Sequence, residues 1–309
     1  MTAPGLKVPA SLPPSEPVHA FILTLDEEKH IARCITSIRE HCASVLVIDS
    51  GSTDRTCEIA RELGAEVIVH PFTTHARQVN AAIGHIEGRG GWLMRIDADE
   101  VLEPPPGGVL VGLGEASDGL IVRRHIHFLG RRMLHGGLQP NWHLRLWRAG
   151  TGRCEERWMD EHIFVAGPTR TTAIEIADIN LNPVGWWTAK HNGYASREAI
   201  EVLARKYPLL DREAPSADTL HGPVRLKRLV KERLFNRLPG GMRAKVYFFW
   251  RYWVRLGFLD GTEGYFFHFL QVYWYRTLID CKVREIELYR DANQVPLEDA
   301  VAAVTGLRV

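Results

Sequence analysis

Between His19 and Asp97 the chain alternates compact apolar runs with amphipathic stretches, and this alternation restricts the fold more than any other feature. "HAFILTL", "SVLVIDS", "AEVIVH" and "GWLMRID" are apolar runs of strand length. After the first, Ile31, Cys34, Ile35 and Ile38 recur at i, i+3, i+4 and i+7, which predicts a helix with one buried face. A second helix carries Ile59, Ala60 and Leu63 and stops at Gly64, with Ser52, Thr53 or Asp54 available as its cap. "THARQVNAAIGHIE" reads as a third. Strand–helix alternation with near-continuous apolar strands implies an α/β fold with a mostly parallel, Rossmann-like sheet covered on both faces. Ligands of such sheets sit beyond the carboxyl ends of the strands.

The polar residues at those ends are therefore the candidates. The first strand ends in Thr24, Asp26, Glu27 and Glu28. The second ends in Asp49, Ser50, Gly51, Ser52, Thr53 and Asp54, and the fourth in Asp97, Ala98, Asp99 and Glu100. A nucleotide site needs a carboxylate to accept from a base N–H or a ribose hydroxyl, a task that suits Asp49. It also needs hard oxygen ligands for a divalent ion that neutralises a diphosphate, a task that suits Asp97 and Asp99. An isolated D-x-D is more often a cap or a turn. Here it follows an apolar strand and two strand–helix units that also end in acids. No G-x-G-x-x-G follows the first strand and no G-x-x-x-x-G-K-[ST] is present, which argues against dinucleotide oxidoreductases and P-loop enzymes.

From Gly119 the pattern changes. "GLIVRRHIHFLG" and "NWHLRLWR" alternate at period two and read as antiparallel strands. Residues 1–17 read as a disordered tail without a signal peptide, 18–205 as a catalytic domain, 206–224 as a linker, and 225–309 as a helical, aromatic region. The 309 residues are 45% hydrophobic, enough for an ample core, and a net charge of +1 gives no global field toward nucleic acid. Five cysteines without a C-x-x-C pair read as buried thiols of a reducing compartment. No uncharged apolar run reaches the roughly 18 residues of a spanning helix, so a soluble or peripheral protein is expected.

"FILTLDEEKHIARCITSI", "VLVIDSGSTDRTCEIA", "HARQVNAAI" and "WLMRIDADE" resemble successive motifs of family 2 inverting glycosyltransferases with the GT-A fold, over about Ala20 to Val165. "ERWMDEHIFVAG", "NLNPVGWWTAKHNGYASREAIEVL", "RLKRLVKERLFNRLP" and "RLGFLDGTEGYFFHFLQVYWYR" are similar to bacterial enzymes of lipopolysaccharide-core and exopolysaccharide assembly. The resemblance implies a nucleotide-sugar donor, UDP-linked, contacted by the first strand end (Thr24, Asp26, Glu27) and by Asp49, Ser50, Gly51 and Asp54. Arg77, Gln78 and Asn80 would approach the donor, and Asp97 and Asp99 would bind Mn or Mg together with its diphosphate. The general base would be one of Asp160 and Glu161 in "MDEH", with Glu161 slightly favoured. His162 would either complete the metal shell or stand behind it.

The C-terminal third adds a partner. "RLKRLVKERLFNR" holds six basic residues and one acid across Arg225–Arg237, and "RAKVYFFWRYWVRL" interleaves arginines with aromatics. Basic, aromatic helices of sub-spanning length suit the bilayer interface. A lipid-linked saccharide acceptor, met at the cytoplasmic face of the inner membrane, fits such a surface. Two other readings stay open at this stage: a nucleotidyltransferase on a similar sheet, and a non-catalytic membrane-surface protein keeping a nucleotide fold.

Overall fold

A computed structural model describes residues 16–104, 117–155, 162–207 and 241–307. The chain forms two compact units: Met1–Ile126 with Pro140–Leu181, and His127–Gln139 with Asn182–Val309.

The first unit opens with the expected alternation: β1 (Val18–Thr24), α1 (Ile31–Ile38), β2 (Ser44–Asp49), α2 (Thr56–Glu62), β3 (Glu66–Val69), α3 (His75–Ile86) and β4 (Trp92–Arg95). β1 pairs in parallel with β2 on one side and β4 on the other, with Thr24 opposite Asp49 and Phe21 opposite Arg95. The chain then adds β5 (Glu100–Glu103), β6 (Gly119–Phe128), β7 (Arg131–Arg132), β8 (Trp142–Arg148), β9 (Gly152–Cys154), β10 (Ile163–Val165) and β11 (Thr169–Ile179). The sheet order is β3-β2-β1-β4-β8-β6-β11-β5, and β9 and β10 form a separate ribbon. A parallel half, β3 to β4, thus meets an antiparallel half, where β8 pairs with both β4 and β6. This is the GT-A arrangement.

Each face of the parallel half has its own core. Ile31, Cys34, Ile35 and Ile38 of α1 are all fully buried, and they pack with Ala20, Ile22, Val47 and Met94. At about 1.5–3 kcal/mol for each large side chain removed from water, this stripe alone fixes the helix on the sheet. On the other face Phe21, Leu46, Ile48 and Leu93 meet Val79, Ile83 and Ile86 of α3, and Trp147 of β8. Gly64 takes φ +81°, which ends the turn after α2 as its position suggested.

The second unit contains the β6 end with β7, then α4 (Val184–Lys206), α5 (Met242–Phe249), α6 (Gly261–His268), α7 (Tyr275–Asn293) and α8 (Leu297–Thr305). Ala195, Ala199 and Leu203 of α4 pack on Ile279 and Ile286 of α7 and on Leu297, Ala300 and Val301 of α8. No helix among the described residues is long and apolar enough to cross a membrane.

Two expectations change in detail. The tail was expected to run to residue 17, but Glu16 accepts from the Trp92 indole (2.7 Å) and pairs with Arg148. No disulfide joins the cysteines among the described residues; Cys34 and Cys154 are buried, but Cys281 on α7 is exposed. The basic segment Arg225–Arg237 and, from residue 208 on, the linker expected over 206–224 lie outside the described residues, while Lys206 closes α4.

Candidate functional site

In the strand order β2-β1-β4 the chain leaves β1 to one side and returns to the other, so a crevice opens beyond the carboxyl ends of β1 and β4. The loops after β1 and β2 form one wall, and they are stitched together. Asp26 Oδ1 accepts from Thr53 N (2.8 Å), while Asp26 N donates to Ser52 Oγ (2.8 Å). Glu27 N donates to Thr56 Oγ1 (2.7 Å) and Glu28 N to Asp54 Oδ2 (3.1 Å). Asp26 holds φ +54°, a left-handed conformation that short polar residues tolerate, and the cross-loop bonds keep it there. Asp54 also accepts from the Thr56 amide (2.9 Å), so the expected capping role falls to it.

Asp49 is buried, at 1% exposure. Its carboxylate accepts from Thr24 Oγ1 (2.9 Å), Gly51 N (2.9 Å), and Ser52 N (2.7 Å) and Oγ. Burial pushes its pKa up, but these donors outweigh burial and leave it below the ordinary carboxylate value. Both oxygens are engaged by the chain itself. Asp49 and Thr24 thus shape the loop from within, where the sequence suggested direct donor contact for Asp49. In this loop Gly51, Thr53 and Arg55 are exposed and Ser50 is half-buried.

The helix α3, capped by Thr74 Oγ1 on Arg77 N (3.2 Å), separates the roles of its three candidates. Gln78 is buried and its amide donates to Ser50 Oγ and His70 O, both at 2.9 Å. Asn80 exchanges two bonds with the Cys154 backbone, each 3.0 Å, and so adds itself to β9 as a strand partner would. Arg77 is exposed. Of the three, it alone projects into solvent.

The D-x-D turn forms the other wall. Asp97 accepts from Arg95 (3.2 Å) and from Arg145 (3.0 Å). Burial raises its pKa, but Arg145 and Arg95 dominate and hold it well below the carboxylate range. Asp99 lies half-buried beyond it and accepts from Asn180 Nδ2 (3.1 Å). Glu100 faces inward and is fully buried, bonded to Arg145 and to Arg124 (2.8 Å), which in turn reaches Asp178. Burial lifts Asp178 to about 7, against the pull of Arg124. Of the three carboxylates in "DADE", Glu100 is thus the buried counter-ion of two arginines, while Asp97 and Asp99 are half-exposed, Asp97 with its two oxygens held by Arg95 and Arg145.

Sequence reading missed Arg124, Arg145, Asp178 and Asn180. Arg145 sits at a β-bulge: Leu120 pairs with Leu146 but Ile121 with Leu144, so β8 carries one residue more than β6 at this point. Bulges re-aim a side chain, and here the cation points at Asp97 and Glu100.

Asp160 and Glu161 lie outside the described residues, but the chain on both sides is fixed. Glu155 N donates to His162 O (3.1 Å), and Ile163 pairs with Cys154, the residue that Asn80 holds. His162 is exposed.

Among the described residues no group of three or more His, Cys, Asp or Glu could by itself hold a metal ion. Two carboxylates with an ionised Asp97 are nonetheless the donor set that a hard divalent ion uses when substrate phosphates complete its shell. The residues fit Mn or Mg on those terms.

Residues 20–165 match the model of glycosyl transferase family 2. The lipopolysaccharide core biosynthesis glycosyltransferase LpsC of Rhizobium meliloti is 32% identical over 148 residues, 45% of this chain and 54% of that protein. An uncharacterized glycosyltransferase of Rickettsia felis is 42% identical over 87 residues, 28% of this chain and 30% of that protein. The chain thus spans about half or less of the length of these curated relatives. The glucosyl-3-phosphoglycerate synthase of Mycobacterium tuberculosis, solved with Mn, UDP and glucosyl-3-phosphoglycerate, is 25% identical over 36% of this chain and 44% of its own, with a TM-score of 0.29, too low to bear weight. The segment from residue 20 to residue 165 is thus similar to family 2 glycosyltransferase domains, among them that of a lipopolysaccharide core biosynthesis glycosyltransferase.

Proposed function

We propose that this protein is an inverting glycosyltransferase that moves a sugar from a nucleotide diphosphate, UDP in the first instance, to a lipid-linked saccharide acceptor in bacterial surface polysaccharide assembly. It would work as a peripheral protein at the cytoplasmic face of the inner membrane. The observation that carries the reading is the Asp97–Ala98–Asp99 turn at the carboxyl end of β4, on the edge of the crevice that the strand order creates.

Asp97 and Asp99 would hold Mn or Mg, which supplies charge neutralisation to a departing nucleotide diphosphate. Arg95 and Arg145 keep the Asp97 carboxylate ionised and aimed. The stitched loops after β1 and β2, with Ser50 and Gly51 among their residues, would form the nucleoside wall, and exposed Arg77 would serve as a cation for the donor. Asn80 steadies β9, which leads into the segment carrying Asp160 and Glu161. One of these takes the acceptor hydroxyl proton as general base. A single displacement at the anomeric carbon then inverts it, without a covalent nucleophile.

The test separates base from binding. Loss of general-base help costs about 10²–10⁴-fold in rate. Glu161→Gln is expected to lower kcat within that range with UDP affinity retained, and Asp160→Asn to have the smaller effect. Near-full kcat in both variants would move the base elsewhere in the chain.

A further inference from the structure

The second unit shows the reverse of a normal surface. Phe249, Trp250, Trp253, Leu256, Phe258 and Leu259 are each 38–59% exposed. Two of them share an aromatic cluster with Tyr252: the Trp253 and Phe258 rings are 5.7 Å apart, and Tyr252 lies 5.2 Å and 6.3 Å from them. An apolar surface of this kind on one turn marks a contact site.

The turn is also strained outward. Leu256 takes φ +59° and ψ +30°, a left-handed conformation that a bulky side chain rarely adopts. The neighbouring chain enforces it. Gly136 N donates to Arg255 O (2.8 Å), Arg251 Nε donates to Gly136 O (2.6 Å), and buried Asp260 accepts from Leu134 N and His135 N on the far side. Beneath lies His268, so close that a Cβ on Gly136 or Gly257 would overlap its ring. A rigid scaffold therefore holds a leucine in a costly conformation and in water. Strain of this sort persists where it serves a function.

Charge identifies the occupant. From Gly241 to Leu259 the chain has four cations, Arg243, Lys245, Arg251 and Arg255, and no acid. Arg243 is tied to Asp280, whereas Lys245 and Arg255 are exposed. A second copy on this face would oppose two cationic surfaces. An anionic bilayer satisfies both features, because aromatics and leucines favour the headgroup boundary and phosphates attract the lysine and arginine.

We propose that residues 249–259 form a preshaped membrane-docking turn that seats Trp253, Leu256 and Phe258 about 5–10 Å into the headgroup region of an anionic leaflet. Its purpose, access to a lipid-borne acceptor, rests on the proposed function. Docking itself needs neither donor nor acceptor. The full chain is expected to co-sediment with vesicles of phosphatidylglycerol and phosphatidylcholine, and much less with phosphatidylcholine alone. Leu256→Gly with Phe258→Ser should weaken binding about tenfold, while leaving donor hydrolysis unchanged. Leu256→Gly alone should keep or raise the melting temperature, since glycine accepts positive φ; a marked fall would mean that Leu256 is packed in a core and would overturn the proposal. No binding to anionic vesicles at low salt would also overturn it, as would a vesicle-free dimer that Leu256→Gly dissociates. An unmodified chain that hydrolyses donor but ignores anionic vesicles refutes the turn alone, and vesicle binding without turnover of any nucleotide sugar refutes the enzyme alone.

Discussion

The two units break the usual placement of polar and apolar residues in opposite ways. In the first, charge goes inside: Glu100 and Arg145 are 0% and 5% exposed and answer one another, with Asp97 and Arg124 joined to them. In the second, apolar rings go outside, and one of the buried polar groups is His268, whose ring nitrogens have no hydrogen-bond partner among the described residues. Interior charge that faces its counter-ions contributes rigidity and direction to a site. Exterior apolar surface on a rigid turn contributes adhesion. Each departure from the ordinary pattern marks the place where the unit meets something else.

The sharpest way to break the comparison is to unpair the interior charge. Arg145→Met leaves Glu100 buried without its nearest counter-ion, and removing one partner of a buried pair costs about 3–5 kcal/mol. Urea unfolding should register that loss in the first unit. Adding Glu100→Gln should restore much of it, because the uncompensated charge is then gone. A small effect of the single variant would mean that water already screens the cluster.

The second unit is expected to respond to acid. Burial and nearby Arg251 press His268 down to about 4 from its ordinary 6.5, with Asp260 pulling weakly the other way. The unfolded chain therefore binds a proton that the folded chain refuses between these values. Stability is complete above pH 6.5 and declines as pH falls toward 4, by up to about 3 kcal/mol. Hydrogen exchange in residues 261–274 should accelerate over that window, and His268→Gln should flatten the response. The vesicle experiment on Leu256 carries the smallest effect on folding and the most local one.

These contrasts also show what a sequence can display. The pattern Ile31, Cys34, Ile35, Ile38 was legible because helical period and burial coincide, and all four are buried. The apolar runs located β1 to β4 for the same reason. Arg124 and Arg145 were not legible: in a period-two strand an arginine reads as a solvent-facing position, and the bulge that turns Arg145 inward leaves no local mark. Asp49 was recognised as important but its bonding was not, because its partners are backbone amides of the loop it belongs to. The strain at Leu256 depends on Gly136 and Asp260, which lie far from it in sequence or impose their constraint only through the fold. The base candidates and the basic segment Arg225–Arg237 fall outside the described residues, and their roles stay proposals from the sequence.

The central claim is that Asp97 and Asp99 hold a divalent ion together with a nucleotide diphosphate. Titration calorimetry of UDP, with and without Mn, tests it on the unmodified protein and on Asp99→Ala. The account predicts that Mn strengthens UDP binding in the first, by about tenfold or more if one charge-assisted contact to the diphosphate depends on it. In Asp99→Ala that gain should vanish while the melting temperature holds. An equal Mn-dependent gain in both proteins would contradict the assignment of the D-x-D turn.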